Sequence, residues 1–253
     1  MFVWKIGERC TIQMHRMISI DNLTKKFGEN TVVDIPKLVI PPGQRLGLVG
    51  NNGAGKTTLL WLLLDLVEPS TGTLFSNDIN VHESPDWKGF TTSYLDESFL
   101  IDYLTPEEYF LFLGELRGLS KAEVLTDLEP FKDFFGGDIL GNHKYLRDYS
   151  RGNRKKVGIA GCFLGSSEVV FLDEPFTNLD PRSQLTLMEL LRNDLWDDNR
   201  SLLISSHDLR YITQVCDRVV LLEKGRVQMD LEVSEDSLEE LHAYFNHQTS
   251  PGF

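Results

Sequence analysis

The chain has 253 residues, 41% of them hydrophobic, which is enough to bury one substantial core and too short for two full domains. Its formal net charge is −13 and its sequence pI is about 4.9, so the field of the whole molecule repels nucleic acid and anionic membrane surfaces. Three cysteines, Cys10, Cys162 and Cys216, stand far apart with no C-x-x-C pair, which excludes a cysteine metal framework and fits a reducing compartment.

The start, "MFVWKIGERCTIQMHRM", carries Lys5, Glu8 and Arg9 where a secretory signal would need an apolar segment. Residues 1–17 are read as an N-terminal extension, with Met17 as an alternative start. Residues 18–49 read as short strands with turns at Gly28-Glu29-Asn30 and Pro41-Pro42-Gly43, ending in the buried strand "RLGLVG". A leucine-rich helix follows, but its run "LLWLLL" stops at Asp65, short of the roughly 18 residues that a membrane span needs. The pattern turns helical over about 100–155, a lobe inserted into the core: Thr105 caps a helix with Pro106 at its first position, and Ser120 with Glu123 forms a capping box. Then come a helix from about 152, the strand "EVVFLDE", a long helix from about 181, the strand "SLLISS", a further helix and a hairpin turning at Lys224-Gly225. Residues 233–253 read as an acidic tail ending in a surface helix. Strands alternating with helices predict an α/β fold with a parallel sheet, preceded by antiparallel strands. Cys162, in "IAGCFLG", is read as a small buried apolar residue.

Two motifs carry chemistry. "GNNGAGKT", Gly50 to Thr57, fits G-x-x-x-x-G-K-[ST] between a strand and a helix, the context that a phosphate-binding P-loop requires. The backbone of Gly50, Asn51, Asn52, Gly53, Ala54 and Gly55, with the helix start at Thr57 and Thr58, is expected to cradle phosphate with its N–H groups. Lys56 is expected to reach the β- and γ-phosphates, and the Thr57 hydroxyl to hold Mg²⁺. "VVFLDEP", Val169 to Pro175, is a buried strand ending in Asp173, placed to reach Mg²⁺, and in Glu174, placed to orient or deprotonate an attacking water. That second carboxylate points to hydrolysis of a nucleotide.

Between these motifs lies "YSRGNRKKVGIAG", and after them come "TNLD" and "SSHD". In that order the motifs resemble the ATP-binding subunit of an ABC transporter over about residues 18–230. The resemblance implies a RecA-like core with an antiparallel β subdomain and a helical lobe, an ATPase domain over 18–232. It implies two copies, or this chain and a related one, that sandwich ATP and Mg²⁺. It also implies a separate transmembrane permease subunit, with this chain on the cytoplasmic face of the membrane and without a span of its own. Tyr149, Ser150, Arg151, Gly152 and Asn153 stand in the places of the family's L-S-G-G-Q segment, where Ser150 and Gly152 match and would contact the partner's nucleotide. Asp180 stands in the D-loop near the dimer seam. His207 is implied to hydrogen-bond the γ-phosphate and the attacking water, Phe27 to stack on adenine, and Glu97 to take the place of the Q-loop glutamine as a metal ligand. These departures resemble exporter-type subunits more than importer ones. A basic run at a helix start, Arg151, Arg154, Lys155 and Lys156, is unfavourable against the dipole unless something negative lies opposite; for the lysines a solvated basic face is the alternative. The other reading of function is a soluble ABC ATPase in an assembly process such as iron–sulfur cluster biogenesis.

Overall fold

The computed structural model describes residues 17–248; the extension up to residue 16, including Cys10, lies outside the described residues. Met17 itself is buried, its N–H donates to Ile40 O at 3.0 Å, and its carbonyl accepts from Asn77 N at 2.7 Å.

β1 (Ile18–Phe27) and β2 (Asn30–Ile40) form a hairpin closed at Gly28-Glu29. β3 (Arg45–Val49) follows, then α1 (Lys56–Leu63), β4 (Thr71–Ser76), β5 (Ile79–Asn80) and β6 (Thr91–Tyr94). The next stretch is helical: α2 (Pro106–Leu116), α3 (Lys121–Asp127) and α4 (Lys132–Phe135), and after a loop α5 (Arg151–Gly161). β7 (Val169–Asp173), α6 (Pro181–Glu189), β8 (Ser201–Ser206), α7 (Leu209–Val215), β9 (Arg218–Glu223), β10 (Arg226–Glu232) and α8 (Ser237–Gln248) complete the order.

The strands make two sheets. An antiparallel one runs β2-β1-β4-β5, and a six-stranded one runs β10-β9-β3-β8-β7-β6, parallel throughout except for β10 at its edge. β3, β7 and β8 are buried along nearly their whole length, the two-sided burial that makes parallel strands continuous apolar runs. The antiparallel strands are thus a separate sheet of four strands, and β4 within it comes from a segment, "TGTLFS", whose three exposed residues leave little alternation to read. The capping box of Ser120 with Glu123 forms on α3, and Thr105 caps α2 with Pro106 at its first position; that cap is also a capping box, with Glu108. The helical stretch is less continuous than its pattern predicts, because Gly136 ends α4 in the left-handed region and residues 136–145 form a loop. Among the described residues no helix is long and apolar enough to cross a membrane. Cys162 is buried, and burial pushes its thiol up to about 12.

Phe131 joins this helical stretch to the segment that follows α5. It is fully buried, with ring centroids 6.0 Å from Phe135, 6.4 Å from Phe134 and 6.0 Å from Phe163. Phe131→Ala is expected to cost about 3–5 kcal/mol through lost burial and a residual cavity. In thermal unfolding that is a fall in Tm of about 10 °C; a change within about 2 °C would show that the cluster repacks around the gap.

Candidate functional site

The site is built where β3, β7 and β8 lie side by side with their C-terminal ends at one edge of the sheet, the edge at which parallel α/β sheets bind ligands. From β3 the chain enters the loop Gly50 to Gly55, in which Asn51, Asn52 and Gly53 are exposed and Ala54 and Gly55 are buried. Gly55 has φ 104°, and a Cβ there would lie 2.6 Å from Val32 O, so glycine is required by both conformation and space. Lys56 opens α1, is 7% exposed, and turns its ammonium back to donate to Gly50 O at 2.6 Å. The loop is thereby closed around its own cation, with the unpaired N–H groups of the helix start beside it. Thr58 is half-buried on the same turn.

β7 delivers Asp173 and Glu174. Asp173 Oδ2 accepts from Thr57 Oγ1 at 2.8 Å, and Oδ1 accepts a short hydrogen bond from Ser205 Oγ, the residue opposite it in the β7–β8 register. Burial raises the Asp173 pKa, as does the adjacent Glu174; the two hydroxyls and Lys56 work in the other direction. Glu174 takes φ 46°, unusual for a side chain larger than glycine, and its N–H donates to both Ser205 O and Ser205 Oγ. Its carboxylate faces two partners: Lys56 Nζ lies 3.5 Å from Oε1, and His207 Nδ1 lies 2.9 Å from Oε2. His207 is exposed, just past the end of β8. Five residues singled out from sequence, Lys56, Thr57, Asp173, Glu174 and His207, are therefore linked in one hydrogen-bonded and ionic chain.

The remaining candidates are placed elsewhere. Phe27 ends β1 and is 49% exposed, outside the core, and Lys25 lies 4.9 Å over its face. Ser150 caps α5 by accepting from Asn153 N at 3.3 Å, and Asp180 caps α6 by accepting from Ser183 N at 3.0 Å. A Cβ at Gly152 would lie 2.9 Å from Asn178 O, so the loop before α6 passes directly over this glycine. Glu97 does not join Thr57 and Asp173. It is buried in a turn of 3₁₀ helix, where Oε1 accepts from Tyr94 OH at 2.9 Å and Oε2 from Arg151 Nε at 2.9 Å. Burial raises its pKa, but these hydrogen bonds outweigh that and the net shift is downward. As a metal ligand it would have to give up both, so the expectation of Glu97 at a metal is corrected to an ion pair with the signature segment.

The basic run of α5 is likewise not a solvated face. Lys155 is 3% and Lys156 8% exposed. The negative charge opposite the run comes from this chain, since Arg151 pairs with Glu97, Arg154 with Asp102 and Lys156 with Asp180. Sequence reasoning missed Ser205, Thr177 and Lys155. For Ser205 the sequence carries no distinguishing signal, since it is one of three serines in "SLLISS".

The donor set fits a magnesium nucleotide: a hydroxyl and a carboxylate meet at Thr57 and Asp173, and a loop with three glycines and a lysine lies beside them. The sequence profile described as ABC transporter matches residues 33–177, more than half of the chain. The chain belongs to the ABC transporter family. An uncharacterised ABC transporter ATP-binding protein of Methanocaldococcus jannaschii is 33% identical over 215 residues, covering 84% of this chain and 76% of that protein. The bacitracin transport ATP-binding protein BcrA of Enterococcus faecalis is 34% identical over 231 residues, covering 88% and 71%. A solved ATP-binding subunit of an ABC transporter superposes with a TM-score of 0.77 at 26% identity, covering 92% of this chain and 95% of that one. The chain is thus an ATP-binding and ATP-hydrolysing subunit with the P-loop α/β fold, of a family whose subunits pair and serve a transmembrane permease.

Proposed function

We propose that the residues gathered around Lys56 and Glu174 hydrolyse ATP between two subunits, and that the energy is delivered to a permease. The observation that carries this reading is the single chain of contacts from Thr57 through Asp173 to Ser205, and from Lys56 through Glu174 to His207. Residues 18–232, β1 through β10, make the ATPase unit. Gly50, Asn51, Asn52, Gly53, Ala54 and Gly55 present backbone N–H groups to the phosphates, and Lys56 supplies the cation for the β- and γ-phosphates. Phe27 offers its exposed face to adenine. Thr57 and Asp173 would hold Mg²⁺, which when bound offsets the negative charge of the phosphates. Glu174 accepts the proton of the water that attacks the γ-phosphorus, while His207 orients its carboxylate; the β–γ bridge breaks and ADP and inorganic phosphate leave. Ser150 and Gly152, at the N-terminus of α5, complete the site of the other subunit, with Asp180 near the seam.

The permease is proposed to dock where Glu97 leads into an exposed apolar stretch. Phe99, Ile101, Tyr103 and Tyr145 are all exposed, and the guanidinium of Arg147 lies 4.9 Å and 5.2 Å over the two tyrosine rings. In this reading the chain sits on the cytoplasmic face of the membrane, held there by the permease. The Tyr-Ser-Arg-Gly-Asn segment and Glu97 support the reading of an exporter-type transporter. Affinity purification of the full chain from detergent-extracted cells tests the reading. A multi-span membrane protein is expected to follow the chain, whereas recovery only in a soluble complex would favour the assembly ATPase instead.

A further inference from the structure

Three of the four cations that open α5 meet carboxylates, and Lys155 does not. Its ammonium donates to Glu174 O at 2.8 Å and to Thr177 Oγ1 at 2.9 Å, and lies 5.6 Å from the centroid of the Tyr94 ring. Among the described residues no carboxylate forms an ion pair with it, although it is 3% exposed. Burying an ammonium against neutral acceptors is costly, and an apolar side chain of similar length would be at least as stable there. Stability therefore gives no reason for a lysine at this position, and its contacts supply one.

Glu174 holds a left-handed φ of 46°, a conformation that persists only where its surroundings hold it. The peptide before Glu174 is held by Ser205, which accepts from the Glu174 N–H. The peptide after it is held by a triangle in which Lys155 Nζ and Thr177 Oγ1 both donate to Glu174 O, and Lys155 also donates to Thr177. Lys155 is on the helix whose first turn carries Ser150 and Gly152, and Thr177 is on the loop whose Asn178 carbonyl lies over Gly152. One side chain thus spans the helix that faces the partner's nucleotide and the backbone that aims the base at this subunit's own.

We propose that Lys155 is a positioning residue for hydrolysis, tying the peptide of Glu174 and the Thr177 loop to α5 so that the base is aimed only while that helix is seated. The proposal rests on the reading of Glu174 as the base. The test is ATP turnover by the full chain carrying Lys155→Met, which removes the donors and keeps the length. The expected result is a kcat about 10- to 100-fold lower, with KM within about threefold and no fall in Tm, because the base is misaimed while the P-loop is untouched. Thr177→Val, which removes the two sides of the triangle made by the Thr177 hydroxyl but keeps the bond from Lys155 to Glu174 O and leaves α5 alone, is expected to show a smaller fall of the same kind, and it carries the test if Lys155→Met does not fold. In single-turnover measurements on Glu174→Gln, adding Lys155→Met is expected to lower the residual rate no further, since there is no base left to aim. A wild-type kcat, a fall confined to KM, or a full additive loss on top of Glu174→Gln would overturn the proposal alone. A Glu174→Gln subunit with the wild-type rate would overturn the reading of the base and this proposal with it.

Discussion

Replacing Glu174 with glutamine is expected to lower kcat for ATP by about 10²- to 10⁴-fold while ATP still binds. Glutamine has nearly the same shape, and its oxygen can accept the hydrogen bond that His207 Nδ1 now makes to Oε2 at 2.9 Å. It cannot take a proton from water. It also removes the negative charge that lies 3.5 Å from Lys56, so the loop's cation faces the phosphates without a competing carboxylate. Binding is therefore expected to be as tight as in the wild type or tighter, and the ATP-bound dimer to accumulate. Phosphate release and size-exclusion chromatography in ATP read the two effects separately. Turnover at the wild-type rate would remove Glu174 from the role of base.

The parts of this site that were legible in the sequence are those made by neighbouring residues. A P-loop is a local object: the strand, the glycines, Lys56 and Thr57 are contiguous, and so are Asp173 and Glu174. The cap at Thr105 and the capping box at Ser120 are legible for the same reason, since each closes within one turn. What the sequence did not show depends on which strands and helices become neighbours. Ser205 meets Asp173 because β8 lies beside β7, and nothing in the run "SLLISS" distinguishes the hydroxyl that bonds Asp173 from its neighbours. Arg151 meets Glu97 across 54 positions, and that pairing is what turned a presumed metal ligand into a buried counter-ion for α5. Lys155 reads as one charge in a charged run, and its burial follows only from the packing of α5 against β6 and the loop after β7. In each case the partner is set by packing between chain-distant elements, which no local pattern carries.

Lys56→Ala is expected to weaken ATP binding by roughly 10- to 100-fold, since it removes one charge-assisted contact worth about 1.5–3 kcal/mol. The loss is larger than for a surface lysine because Lys56 is 7% exposed and held by Gly50 O, so its ammonium is already aimed. This variant also gives a test of sites shared between subunits. Ser150→Arg places a bulky cation at the N-cap of α5 and leaves the same subunit's P-loop, Asp173 and Glu174 intact. A homodimer of Ser150→Arg is expected to bind ATP and hydrolyse it slowly; a homodimer of Lys56→Ala is expected to do neither well. Mixed in equal amounts, they form heterodimers in which the intact P-loop of one chain meets the intact Ser150 and Gly152 of the other. Activity above that of either variant alone is expected, with at most one working site per heterodimer. The mixture would have to be no more active than its parts, or a strictly monomeric preparation as active as the dimer, for each site to be the work of a single chain.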